Sequence, residues 1–169
     1  NEATGILAGR NDPETIKEGG DWYPGNTLQA SIGQSHNAFT PLQIASYIAT
    51  VANGGTRYKA HLIKEVLDYG QTTPVTPDSS ENPEILDQLN LSESTMKAVR
   101  EGMRRAMTDG SAAYVFRDYP VEVAGKTGTS QTNSGSDHGL IACYGPYEDP
   151  EIVVVVVLEH GVHGYTGAE

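Results

Sequence analysis

A chain of 169 residues is long enough for one domain with a sizeable core. Hydrophobic residues make up 37%, with one Trp and two Phe, so the core is expected to be aliphatic and assisted by tyrosine. Eleven basic against 22 acidic residues give a net charge of −11, and no stretch interleaves Lys or Arg with aromatics. Both features argue against a nucleic-acid surface; solubility accounts for the acidity. Cys143 is the single cysteine, which excludes a disulfide framework and a cysteine-built metal cluster without fixing the compartment. The longest apolar run, Ile152 to Leu158, is seven residues, far short of the ~20 that a membrane span needs. With Asn1 at its start and no signal peptide, the chain reads as a piece of something longer.

In chain order, the first 35 residues ("GRNDPE", "EGGDWYPGNT") are rich in Gly, Pro, Asn and Asp and read as ordered loop with short elements. Thr40-Pro-Leu-Gln43 is a capping box that opens a helix, with Pro41 at the first helical position. Leu42, Ala45, Ile48, Ala49 and Ala52 give it an apolar face, and Asn53-Gly54-Gly55 stops it. Tyr58 to Asp68 alternates like a strand, and Gln71 to Pro83 is a polar, Pro-rich loop. A second helix opens at Ser92, with Leu91 and Met96 placed as a hydrophobic staple. Its predicted stripe is Met96, Val99, Met103 and Ala106, and Asp109-Gly110 ends it. Strands are predicted at Val121–Thr129, His138–Tyr144 and Ile152–Leu158, the last Val-rich without polar alternation and so expected to be buried on both faces. The fold class is therefore α+β, an antiparallel sheet with packed helices and no internal repeat.

"VEVAGKTGTSQT" carries the chemistry, and it has two readings. Gly-Lys-Thr ends a phosphate-binding loop, whereas Lys-Thr-Gly forms one wall of a serine acyl-transfer site. A phosphate loop needs a Gly at position 120, which is Pro120. It also needs a loop before the Lys and a helix after it, but "VEVA" reads as strand and "GTSQTNSGSD" cannot open a helix. The acyl-transfer wall needs an exposed strand edge with a cation and hydroxyls at alternate positions. Thr127 and Thr129 project to one side of such a strand and Lys126 to the other, while Gly128 lets a substrate come close. Lys126 can favour a neighbouring anion, and the two hydroxyls can hold a carboxylate. The plain alternative is a polar, solvent-facing strand end.

"GKTGTSQ" follows "GMRRAMTDGSA", and both follow "SIGQS…TPLQIASYIATVANGG". With "NEATGI" before them and "DHGLIACYGPYEDPEIVVVVVLEHG" after, these segments resemble the transpeptidase domain of penicillin-binding proteins, most closely class B. The resemblance covers essentially the whole chain. It departs at Leu140-Ile141, where the family has an aromatic pair, and at Cys143, where Gly is commoner. It implies that residues 1–169 are the C-terminal portion of a β-lactamase-like domain.

That family uses S-x-x-K, then S-x-N, then K-T-G. Ser94-Thr-Met-Lys97 and Ser35-His-Asn37 match the first two in form but occur in the wrong order. Ser94 is also surrounded by Glu93, Lys97, Arg100, Glu101, Arg104 and Arg105, a solvated helix face. Both matches are set aside, and the nucleophile is expected outside these residues. His160 and His163 read as loop residues rather than metal ligands, and Trp22 as a packing anchor. Asp137-His138 reads as part of a turn beside the site.

The resemblance implies catalytic roles for Lys126 and Thr129 and substrate contacts for Thr127, Gly128, Thr129 and Gln131, with no metal or cofactor. The substrate it implies is a peptidoglycan stem peptide or the β-lactam that mimics it. The parent is expected to work with other cell-wall synthesis proteins at the extracytoplasmic face of the bacterial cytoplasmic membrane, anchored by an N-terminal segment absent here. The competing expectation is a non-catalytic sensor or scaffold of the same fold.

Overall fold

The computed structural model describes residues 3–19, 21–76, 83–132 and 134–164. Three helices, α1 (Pro13–Gly19), α2 (Pro24–Ser31) and α3 (Pro41–Ala52), precede two short strands, β1 (Thr56–Tyr58) and β2 (Ile85–Gln88). Then come α4 (Glu93–Thr108), the one-turn α5 (Ala113–Phe116), and the strands β3 (Ala124–Ser130), β4 (His138–Gly145) and β5 (Ile152–Leu158). The last three form an antiparallel sheet in the order β3-β4-β5, as the short connections require; β1 and β2 pair separately.

Local chemistry sets the helix starts. Thr40 Oγ1 accepts from the Gln43 amide at 3.1 Å, and Gln43 Oε1 accepts from the Thr40 amide at 2.9 Å, closing the expected capping box. The Gln43 amide group also donates to the Ala3 and Thr4 carbonyls, tying the start of the chain to α3. At the other end, Gly54 and Gly55 take φ values of +88° and +118°, which a β-carbon would resist. Ser92 Oγ accepts from the Thr95 amide at 3.1 Å and opens α4.

Two apolar clusters hold these elements on the sheet. On one face, Ile48 and Ala52 of α3 meet Ala124, Ala142 and Tyr144, with Ile44, Met103, Val153 and Val155 around them. On the other, Met107 and Ala112 meet Ile141, flanked by Phe116 and Val123.

The sequence-based expectations shift in four places. Helix α3 turns Ile44, Ile48, Val51 and Ala52 inward, while Leu42 is half exposed. In α4 the inward residues are Met96, Met103 and Met107, and Val99 is 43% exposed. Arg100 takes the inward position instead. Its guanidinium donates to the Tyr147 carbonyl at 2.7 Å and the Tyr144 hydroxyl at 3.3 Å, and lies over both rings. At the start of the helix, Leu91 is half exposed and Met96 sits against the Gly55 turn.

The strand expected at Tyr58–Asp68 is reduced to β1 and one isolated bridge, Leu67 with Pro74, because the alternating residues Leu62, Ile63 and Val66 face solvent. Part of the loop expected at Gln71–Pro83 lies outside the described residues. Finally, β5 is buried on one face rather than both, and among the described residues it lies at the end of the strand order. Val153 and Val155 reach the core, whereas Ile152, Val154 and Val156 are exposed on the opposite face.

Candidate active site

The Lys126–Thr129 stretch lies in the middle of β3, which among the described residues is an unpaired edge of the three-stranded sheet. Strand, loop and strand follow one another here, so no helix opens after Lys126 to form a phosphate loop. The register pairs Lys126 with Ala142, Thr127 with Ile141, Gly128 with Leu140 and Thr129 with Gly139. Lys126 therefore shares the α3 face, and Thr127 and Thr129 share the opposite one, the alternation expected of a strand.

Each side chain is held differently. The exposed Lys126 ammonium folds back along the edge to donate to the Thr127 carbonyl at 2.6 Å. Thr127 Oγ1 shares a hydrogen bond with Ser111 Oγ at 2.8 Å, so the loop after α4 reaches the site. Thr129 Oγ1 accepts from the Gly164 amide at 3.2 Å, which leaves its own O–H proton for another acceptor. Gly164 lies flat on Gly128, and a β-carbon there would run into the Gly128 backbone. Gln131 lies one residue beyond the strand and is exposed.

A further contact comes from far along the chain. Gln34 Nε2 donates to the Thr129 carbonyl at 3.0 Å. Since that carbonyl points away from β4, strand alternation places the Thr127 carbonyl and the N–H groups of Thr127 and Thr129 on the same open edge. Gln34 in "SIGQS" and Ser111 in "TDGSA" have no role that the sequence alone reveals. A contact spanning 95 residues leaves no local signal.

The two serine look-alikes have other surroundings. Ser94 and Lys97 are both exposed on the first turns of α4, with Ser94 Oγ 3.0 Å from Ser92 Oγ. Asn37 clamps a turn: it donates to the Gln34 and Ala30 carbonyls and accepts from the Ala8 amide. Ser35 sits in that turn at φ +66°, and its buried hydroxyl finds no partner among the described residues.

The remaining candidates are accounted for locally. Asp137 accepts from the Thr132 amide at 3.1 Å within the β3–β4 turn. His160 donates its backbone N–H to His138 Nδ1 at 3.0 Å and its ring Nδ1 contacts the Ser136 carbonyl at 2.8 Å. Trp22 donates to Thr27 Oγ1 at 2.9 Å. Among the described residues, no group of three or more His, Cys, Asp or Glu is placed to hold a metal ion.

Behind the site, Arg104 bridges Glu101 at 3.0 Å and Glu122 at 2.6 Å, fastening α4 to the segment that enters β3. Its hydrogen bond holds the Glu101 carboxyl below the ordinary carboxylate range. Burial pushes the Cys143 thiol up.

Comparison with known proteins assigns the family. The model of the penicillin binding protein transpeptidase domain matches residues 7–169. The chain belongs to that family. Penicillin-binding protein 2A of Bacillus subtilis is 34% identical over 145 residues, covering 79% of this chain and 20% of the relative. The peptidoglycan D,D-transpeptidase MrdA of Acinetobacter baumannii is 30% identical over 163 residues, covering 88% of this chain and 23% of the relative. One solved chain, from a peptidoglycan synthase complex studied for its coordination of polymerization and crosslinking, superposes with a TM-score of 0.80 at 34% identity. That match covers 99% of this chain and 27% of the other. The α+β architecture is thus that of a penicillin-binding transpeptidase domain, in part, and the chain spans about a fifth of the curated relatives' length. Among the described residues, no helix is long and apolar enough to cross a membrane.

Proposed function

We propose that residues 1–169 are the C-terminal portion of a D,D-transpeptidase domain and supply the K-T-G wall of its acyl-transfer site. The observation that carries this reading is the free edge of β3, where Lys126, Thr127 and Thr129 lie together in a chain of this family. In the parent, a serine oxygen attacks the carbonyl of a terminal D-Ala-D-Ala bond. The tetrahedral intermediate collapses to an ester as the terminal D-Ala leaves, its amine taking up the serine's proton. The amine of a neighbouring stem peptide then displaces the serine and completes the cross-link. A β-lactam enters by the same first step.

Each residue has an assigned part. The Lys126 ammonium, poised over the edge, tunes proton transfer and the local field. Thr127 and Thr129 hold the substrate's terminal carboxylate; with its lone pair engaged by Gly164, Thr129 offers its O–H outward. Gly128 keeps the edge narrow, and Gln131 flanks the bound peptide. The outward Thr129 N–H joins the serine's own N–H as an oxyanion hole; such a donor contributes about 2.7–4 kcal/mol to the transition state.

We assign the nucleophile to sequence outside these residues, because Ser94 and Lys97 sit on an exposed helix turn and Ser35 and Asn37 are engaged in a turn. The parent is placed at the extracytoplasmic face of the membrane, among cell-wall synthesis proteins. Exposure of the full-length protein to a fluorescent penicillin tests the reading. Covalent labelling is expected, and its absence would favour a non-catalytic sensor or scaffold.

A further inference from the structure

The segment that follows β5 is anchored on the end of the β3–β4 hairpin. Two of its residues, His160 at φ +57° and Val162 at φ +72°, hold left-handed backbone conformations without being glycine. For a β-branched residue such as valine that state is strained and needs neighbours to sustain it. The hairpin supplies them. The His160 N–H donates to His138 Nδ1 at 3.0 Å, the Val162 N–H donates to the Asp137 carbonyl at 3.0 Å, and His160 Nδ1 meets the Ser136 carbonyl at 2.8 Å. So held, the segment lays Gly164 on Gly128 and donates the Gly164 N–H to Thr129 Oγ1 at 3.2 Å.

The two imidazoles of this anchor, with ring centres 4.9 Å apart, differ in what a proton does to them. His160 Nδ1 faces a carbonyl, which only accepts, so that nitrogen carries a proton in the neutral ring and in the cation alike. His138 Nδ1 faces an N–H and must be the bare nitrogen of a neutral ring. A proton there sets N–H against N–H and breaks the bond. Imidazole is the side chain that changes charge between about pH 5 and 8. The other ionisable groups at this end of the hairpin are Asp137, engaged by the Thr132 N–H, and Glu159 and His163 on the segment; β3 contributes the uncharged Ser130 opposite His138.

We propose that His138 is a positioning residue of the acyl-transfer site and makes it sensitive to pH. Neutral His138 accepts the His160 N–H, which keeps Gly164 against Gly128 and the Thr129 hydroxyl turned toward the substrate's carboxylate. Protonated His138 lets go of His160, the strained segment relaxes, and Thr129 loses the donor that orients it. The role in acyl transfer rests on the K-T-G reading of the preceding section.

The test uses the full-length protein and a fluorescent penicillin at about pH 5.5 and about pH 7.5, with the acylation rate constant and the dissociation constant resolved separately. Amide hydrogen exchange at 160–164, corrected for the intrinsic rate at each pH, reads the segment itself. In His138→Asn a side-chain oxygen replaces Nδ1 as acceptor and does not titrate. His138→Ala removes the acceptor, and His160→Asn keeps a donor for Ser136 while removing the other imidazole. Relative to His138→Asn, wild-type binding is expected to weaken about fivefold from the higher to the lower pH, as for the loss of one hydrogen bond. His138→Ala should bind weakly at both, and His160→Asn should keep the wild-type step. Protection at 160–164 should follow the same pattern. Superimposable pH profiles of wild type and His138→Asn would overturn the proposal, as would a loss in His138→Ala that His138→Asn does not rescue. A wild-type protein that fails to label, while protection still follows His138, would sink the K-T-G reading and leave the His138 anchor; failure of both removes both.

Discussion

Across the β3–β4 ladder Gly125 faces Cys143, and a β-carbon placed on Gly125 would lie 2.7 Å from the Cys143 β-carbon and 2.6 Å from the Ala142 carbonyl oxygen. Neither atom is the far end of a flexible side chain, so the two strands approach as closely as they do only because position 125 carries no side chain. Gly125→Ala is expected to lower stability by about 1–3 kcal/mol through overpacking. Denaturant melts of the wild-type and variant chain would read this directly, and equal midpoints would refute it.

The site assignment makes a paired forecast. Lys126→Ala in the full-length protein should abolish or severely slow labelling by a fluorescent penicillin, while Ser94→Ala should leave it nearly unchanged. The isolated chain should not label at all, because acylation needs a nucleophile about 3 Å from both its base and the oxyanion donors. Stable labelling of the isolated chain that disappears in Ser94→Ala would identify Ser94 as the nucleophile after all.

The inward face of α4 can be checked by truncation. Met107 is fully buried against Ala112 and Ile141, so Met107→Ala should cost about 2–5 kcal/mol. Val99, exposed on the same helix, should tolerate alanine with a change within about 0.5 kcal/mol. Comparable losses at both positions would mean that the helix is rotated from the orientation described.

The Glu101–Arg104 pair gives stability a dependence on pH with a defined sign. The Glu101 carboxyl is held below its ordinary range by the Arg104 guanidinium. A depressed carboxyl contributes stability that is present above its unfolded value and is lost as the pH falls through its folded value. Melting temperature should therefore drop in the acid range, below pH of about 4, and Glu101→Gln should flatten part of that drop. An identical pH profile in the variant would remove Glu101 from the account.

How far the fold was legible follows the range of the interactions. The starts of α3 and α4 were readable because Thr40, Gln43 and Ser92 act on amides three residues away. The inward stripe of α4 was readable at Met96, Met103 and Ala106 but not at Arg100, which is a cation by composition and a core neighbour only once Tyr144 and Tyr147 supply their rings. Strand β2 was missed for a similar reason, since Ile85–Gln88 becomes a strand by pairing with Thr56–Tyr58 far behind it. In β5 the uniform valines concealed an alternation that the packing of α3 on one face of the strand imposes. At the site, Lys126, Thr127 and Thr129 were legible from a short motif. Gln34 and Ser111 were not, because folding alone brings them to it.

The seat of Gly164 on Gly128 reaches beyond the chemistry of either residue. It makes the segment after β5 and the site strand one mechanical unit, so a displacement of either is felt by the other. On the proposed acyl-transfer reading, a substitution at 160–164 is expected to change the acylation rate while Lys126, Thr127 and Thr129 stay as they are.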